Sequence, residues 1–195
     1  MTSQVSQRPV EPVRILHVLD SLAPGGTEIM LATLIERTAG RFQHAVCSLS
    51  GSGPPTNGVV NLTVPTTFLA KSRGHDWGLA LRFARLCRTV RPDLVHARNW
   101  GTMDAVIGAR IARVPVVIHS EHGRDLGDLD GSRRIRLLVR RFLSPLIDAH
   151  VAVSGDLRRW LLEHAHVRAE KVRVVANGVD TVRFQPLHER DARRR

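Results

Sequence analysis

Residues 13–28 constrain the fold more than any other stretch. Val13, Ile15, Leu16, Val18 and Leu19 make an apolar run of strand length. A turn follows over 21–26, carrying Pro24 and the adjacent Gly25 and Gly26. From Thr27 the apolar spacing turns helical: Ile29, Leu31, Ala32, Leu34 and Ile35 share one face, with Glu36 and Arg37 off it. Strand, glycine turn and helix open a parallel α/β unit, and ligands of such sheets bind beyond the carboxyl ends of the strands, where this turn lies. Two residues without Cβ let the backbone approach a bound group, and the N–H groups of a helix start favour an anion or polar oxygen. The competing reading is a tight turn that needs positive φ. The pattern is neither Gly-x-Gly-x-x-Gly nor a Walker loop, so it names no nucleotide.

The rest of the chain repeats the alternation. Further strands are expected at 44–48, 59–64, 94–97, 116–120, 149–153 and 172–175. Between them come a helix with Leu79, Phe83, Leu86 and Val90 on one face, stopped by Pro92, and a small-residue helix over 101–113. Two more helices follow at 132–146 and 156–164, the last with Ser154 as N-cap. This predicts an α/β, Rossmann-like, mainly parallel sheet with helices on both faces. Residues 1–12 read as a disordered lead-in with no apolar core of a targeting signal, 13–176 as the domain, and 177–195 as a linker and tail. No apolar run approaches the ~20 residues that span a bilayer. In the helix at 132–146, Ile135, Leu138, Val139, Phe142 and Leu146 are expected to be buried, with Arg133, Arg134, Arg136, Arg140 and Arg141 solvated. Its functional alternative is an interfacial helix on anionic lipid.

Composition narrows the partners. The 195 residues suit one domain of roughly 100–200 residues. Cys47 and Cys87 lack a metal-type spacing and fit buried thiols in a reducing, cytoplasmic setting. The net charge is +11, but the arginines are scattered and there is no tyrosine, so no stacking platform for nucleic acid is expected. A membrane surface or an anionic substrate remains the fitting partner of such charge.

The candidate site is the set of loops at strand carboxyl ends: Gly25 and Gly26, Asn99, then Glu121, His122, Gly123, Arg124 and Asp125. His122 is the sharpest residue, because an imidazole can hydrogen-bond a sugar hydroxyl or polarise a reacting group near neutral pH. Its bland alternative is a loop histidine that is merely solvated or makes a local hydrogen bond. No metal site is expected: His119, Glu121 and His122 do not form His-Glu-x-x-His. Val-Ser-Gly-Asp at 153–156 is not a nucleophile elbow.

Seven pieces in order carry a resemblance: Ile-Leu-His-Val-Leu at 15–19, Pro-Gly-Gly-Thr-Glu at 24–28, Asp-Leu-Val-His at 93–96, Glu-His-Gly-Arg-Asp at 121–125, Asp-Leu-Asp-Gly at 128–131, Val-Ala-Val-Ser at 151–154, and Asn-Gly-Val-Asp at 177–180 with Phe184 and Pro186. The chain resembles the N-terminal, acceptor-side half of a family 4 glycosyltransferase of GT-B fold, and most of all the sugar transferases of exopolysaccharide and PEP-CTERM/exosortase systems. The resemblance implies a retaining enzyme that takes a nucleotide-sugar donor and needs no cofactor or catalytic metal. It implies a glycan or lipid-linked acceptor and no nucleic acid, and places the protein in the cytoplasm or at the inner face of the membrane. His122 then matches the histidine that contacts the transferred sugar, and Gly25 and Gly26 lie where the donor's diphosphate and sugar meet the acceptor. The donor-binding half is missing from these residues, so the chain alone is expected to be inactive, with a C-terminal donor-binding domain on another chain as one way to complete the cleft. Two competing functions are a non-enzymatic anion- or membrane-surface module and a dinucleotide-binding oxidoreductase, the latter disfavoured by its missing glycine fingerprint.

Overall fold

The computed structural model describes residues 11–51, 63–72, 76–124, 128–179 and 181. In chain order the elements are β1 (Val13–Leu19), α1 (Gly26–Thr38), β2 (Phe42–Ser48), β3 (Thr66–Phe68), α2 (Leu79–Val90) and β4 (Leu94–Arg98). There follow α3 (Met103–Ile111), β5 (Val116–Glu121), α4 (Arg134–Leu143), β6 (Ala149–Ala152), α5 (Gly155–Glu163) and β7 (Val172–Val174). The strands form one sheet in the order β3-β2-β1-β4-β5-β6-β7. Every pairing is parallel. The winding reverses between β1 and β4, and a parallel sheet opens a crevice at the carboxyl ends of such a pair.

Strand register sorts the side chains onto two faces. Leu16, Val18, Val95, Ala97 and Val117 pack against Phe83 and Cys87 of α2 and Ala105, Val106 and Ala109 of α3. On the same face, Ala152 and Val172 meet Leu157, Trp160 and Leu161 of α5. The opposite face holds α1, whose Leu31 and Ile35 cover Leu19 and Val46. Each such large side chain, once fully buried, contributes on the order of 1.5–3 kcal/mol. Gly108 explains the small residues of α3: a Cβ there would stand 2.5 Å from the Ala80 carbonyl oxygen of α2. The close approach is therefore helix to helix.

Most boundaries fall within a few residues of the sequence expectation. Ser154 caps α5 as expected, its Oγ accepting from the Leu157 N–H at 3.2 Å. The third strand differs. It is Thr66–Phe68, while Thr63 and Val64 are not strand and 59–62 lie outside the described residues. The apolar run favours 59–64, but β-branched threonines beside an aromatic suit a short edge strand as well. The expected lead-in and tail fall largely outside the described residues, which exclude 1–10, Asp180 and 182–195.

Helix α4 is turned the other way from expectation. Ile135 is 67% exposed and Phe142 75%, whereas Arg140 is 3% exposed. The reason is at the end of β5. Glu121 is buried, and Arg140 Nε donates to its Oε1 at 2.7 Å. The guanidinium lies between two indoles, 5.0 Å from the Trp100 ring centre and 4.9 Å from that of Trp160. Arg136 stacks on Trp100 as well, at 5.3 Å. A buried carboxylate demands a paired cation more strongly than Ile135, Leu138 and Phe142, the last two 46% and 75% exposed, demand cover.

Candidate functional site

Because the sheet is wholly parallel, the β1, β4 and β5 exits open on one rim. Gly25 has φ −165 and ψ 170, an extended conformation open to any residue. The positive-φ turn reading therefore fails. A Cβ at Gly25 would crowd the tip of the flexible Glu28 side chain, at 2.6 Å, and touch the Ala23 carbonyl oxygen at an ordinary 3.8 Å, and one at Gly26 would meet nothing within 4 Å. What the two glycines supply is open backbone at the start of α1, which has no side-chain cap.

Asn99 and His122 form the second part of the rim. Asn99 has φ 59 and ψ 175, a region that costs a non-glycine residue about 1–3 kcal/mol. The strain is offset by a dense set of bonds. Its Oδ1 accepts the His122 N–H at 2.8 Å, and its carbonyl accepts from His119 Nε2 at 3.1 Å. Asn99 thus holds the backbone of His122, and its own side-chain oxygen is already engaged. The Asn177 side chain lies beside the His122 ring, close enough to favour its protonated form although outside strict hydrogen-bond geometry. Burial, then the Arg98 charge, hold the His122 imidazole below its ordinary value, with Asn177 and Glu121 opposing. Its Nδ1 is buried without a hydrogen-bond partner.

Beneath the rim, on the α1 face, runs a row of polar side chains that the sequence reading did not single out. Thr38 Oγ1 meets His44 Nε2 at 3.0 Å, and His44 Nδ1 meets His17 Nε2 at 3.0 Å. Arg98 Nη2 lies 3.2 Å from His17 Nδ1 and 3.2 Å from His96 Nδ1. His96 Nε2 reaches Ser120 Oγ at 3.0 Å, and Ser120 Oγ reaches His122 Nε2 at 3.0 Å. Burial, reinforced by Arg98 and His44, pulls His17 down to about 2, and burial with Arg98 holds His96 well below its ordinary value. Arg98 itself is 3% exposed, and burial lowers it to about 9, with Glu28 of α1 opposing. Glu28 and His122 are thus both within electrostatic reach of Arg98, which ties the glycine turn and the histidine to one place. A signal is present in part: His17 and His96 are polar positions inside strands that otherwise read as buried, whereas Arg98 follows the strand expected at 94–97 and only the structure makes it the last residue of β4.

The other expected site residues are placed less directly. Glu121 is the last residue of β5 and spends its carboxylate on Arg140, so it anchors α4 from within the core. Gly123 is exposed with open space where a Cβ would stand. Arg124 pairs with Asp156 at the start of α5, at 3.2 Å. Asp125 lies outside the described residues. His119 and His150 face each other on the α2–α5 side, ring centres 6.0 Å apart, each with a buried Nδ1 that has no hydrogen bond, that of His119 lying 4.0 Å from Glu121 Oε1. Among the described residues no group of three or more His, Cys, Asp or Glu side chains is arranged to hold a metal. No described helix is long and apolar enough to cross a membrane.

Comparison with known proteins agrees with this architecture. The chain is 27% identical over 182 residues to the putative glycosyltransferase EpsF of Bacillus subtilis (strain 168), covering 89% of this chain and 47% of that one. Anabaena Alr3699/HepE, solved with UDP and glucose, superposes with a TM-score of 0.67 at 19% identity over 87% of this chain and 46% of its own. The apo form of the lipopolysaccharide outer core galactosyltransferase WaaB gives 0.68 at 15% identity, covering 92% and 50%. The chain spans about half the length of each of these relatives. At these identities the structures speak for the fold, that of one half of a GT-B enzyme. The model of Glycosyltransferase Family 4 matches residues 24–183, most of the chain, and this protein belongs to that family.

Proposed function

We propose that this domain is the acceptor-side wall of a retaining, nucleotide-sugar-dependent glycosyltransferase that builds a polysaccharide or related glycan, as in exopolysaccharide and PEP-CTERM/exosortase systems. The observation that carries the reading is the convergence of the open Gly25–Gly26 backbone and the Asn99-held His122 at the exits of β1, β4 and β5. In this reading His122 contacts the transferred sugar. Gly25 and Gly26 admit the diphosphate and acceptor, and Gly123, Arg124 and Asp125 border the acceptor glycan or lipid-linked sugar. A departing diphosphate needs fixed positive charge and in-line positioning. On this wall the buried cation near His122 is Arg98, and it is committed to His17 and His96. In this reading Arg124 serves the acceptor and the diphosphate charge comes from a second, donor-binding domain, in the same polypeptide or on another chain. Residues 13–176 make the wall, and 177–195 lead toward that domain.

The test is sugar transfer from radiolabelled UDP-glucose, with which HepE has also been solved, and from other nucleotide sugars. The 195-residue chain alone should give no turnover, and joining a donor-binding domain should restore it. His122→Ala in the joined protein should lower transfer by at least 100-fold, an order of magnitude typical of a lost transition-state hydrogen bond. Robust turnover by the 195-residue chain alone would overturn the proposal.

Helix α4 supports a place at the cytoplasmic face of a membrane. Its outward stripe of Ile135, Leu138 and Phe142 is flanked by exposed Arg133, Arg134 and Arg141. Apolar side chains ringed by arginine fit an anionic lipid surface. The same helix is what favours the second reading, a surface-binding module without catalysis. Vesicles of anionic lipid separate the two: Phe142→Ser should lose sedimentation with them, whereas His122→Ala should bind them fully and lose only transfer.

A further inference from the structure

The polar row has a direction. A guanidinium only donates, so the two nitrogens that share Arg98 Nη2, His17 Nδ1 and His96 Nδ1, must both accept. Each of these rings then carries its proton on Nε2. On one side the His17 Nε2–H donates to His44 Nδ1, which leaves the proton of His44 on Nε2, donating to Thr38 Oγ1. That end closes independently, since the Thr38 hydroxyl donates to the Leu34 carbonyl and is free to accept from His44. On the other side the His96 Nε2–H donates to Ser120 Oγ. Among the described contacts, the acceptor left for the Ser120 hydroxyl proton is His122 Nε2. His122 therefore accepts at Nε2 and carries its proton on Nδ1, the buried atom that has no partner.

We propose that Arg98 is a positioning residue which, through His96 and Ser120, locks His122 as the Nδ1–H tautomer, so that the buried Nδ1 is a hydrogen-bond donor for an acceptor that takes the place Asn177 holds beside the ring. The complementary ligand group is an acceptor oxygen, such as a sugar hydroxyl or a phosphate oxygen. That identification of the ligand rests on the glycosyltransferase reading; the tautomer does not. Tautomer choice through the hydrogen bond on the other ring nitrogen is a general device for histidine. A neutral Nδ1–H ring of this kind stabilises developing negative charge. It does not accept a proton, because its basic nitrogen is occupied by Ser120.

The test is the long-range proton–nitrogen spectrum of the ligand-free 195-residue chain, labelled with 15N-histidine, at neutral pH. The His122 signals are identified by their loss in His122→Asn, and those of His17 and His96 in the same way. His122 should show a pyrrole-type Nδ1 and a pyridine-type Nε2, and His17 and His96 the reverse. Ser120→Ala should move His122 toward the Nε2–H pattern, and Ser120→Thr, which keeps the hydroxyl, should retain the Nδ1–H pattern. Nε2–H at His122 in the unsubstituted chain, Nδ1–H at His17 or His96, or an unchanged pattern in Ser120→Ala would each overturn the proposal. No sugar enters these spectra, so their outcome stands apart from any result of the transfer assay.

Discussion

The two faces of the sheet solve the same packing problem with opposite chemistry. Under α2 and α3 the strands present Leu16, Val18, Val95, Ala97 and Val117, a dry surface that only sterics can specify. On the α1 face the same strands carry His17, His96, Arg98 and Ser120, joined by directed hydrogen bonds. A dry face tolerates repacking of similar volume. A polar row does not, since each member left without its partner costs about 1–3 kcal/mol. The difference indicates where uniqueness of conformation resides: the apolar face supplies most of the folding free energy, and the polar row sets the orientation of the groups that reach the rim. The faces also meet polar demands differently. On the α2–α5 side the charge is paired directly, Glu121 with Arg140. On the α1 side Arg98 is held mainly by neutral imidazoles.

Acid is the harshest way to break this comparison, because both faces bury imidazoles. Burial drives His17 to about 2 on one face, and His119 and His150 each to about 3 on the other. In the unfolded chain each returns to its ordinary value of 6.5. The unfolded state therefore binds more protons as pH falls below that value. Stability is complete above it and declines until the folded-state values are reached. Each histidine contributes a slope of about 1.4 kcal/mol per pH unit, so these three give about 4. Urea midpoints should fall steeply between about pH 6.5 and pH 5, and a flat midpoint across that span would refute the burial of these rings. A smaller and one-sided effect should come from Glu121→Ala, which strips Arg140 of its carboxylate. The expected loss is about 3–5 kcal/mol, measured by chemical denaturation. His96→Ala on the opposite face should cost less, about 1–3 kcal/mol.

Much of this architecture is legible in the chain itself. The alternation of short apolar runs with amphipathic segments yields the parallel sheet, and the turn at Gly25 and Gly26 marks its working edge. What escapes is whatever depends on pairing across distant strands. Helix α4 shows why. Periodicity reports that Ile135, Leu138 and Phe142 share a face, but not which face turns inward, and the deciding partner, Glu121, comes from another element. The same holds for the site. His122 stands out by its place after a strand, and Asn99 by its type. The row feeding His122 is visible only once β1, β2, β4 and β5 lie side by side, because His17, His44 and His96 are dozens of residues apart. Residue type would have helped: a histidine or arginine within a strand that reads as buried needs a partner, and several such positions imply one another.

The finest test separates the two arms of the polar row. Thr38 ends one arm near solvent at the close of α1, and His122 ends the other at the rim. Thr38→Val removes the hydroxyl acceptor of the His44 Nε2–H, but the Thr38 backbone also hydrogen-bonds His44 and can keep the proton satisfied. The cost should be about 0.5–1.5 kcal/mol, that of one ordinary hydrogen bond. Both arms originate at Arg98, whose donors stay oriented by its charge whichever arm is cut, so the arms should behave independently. In a double-mutant cycle of Thr38→Val with His122→Asn, the free energies should add to within about 0.5 kcal/mol. A larger coupling would show the imidazoles polarising one another through the guanidinium as a single cooperative unit, and the α1 face would then be rigid along its whole length rather than only where it meets His122.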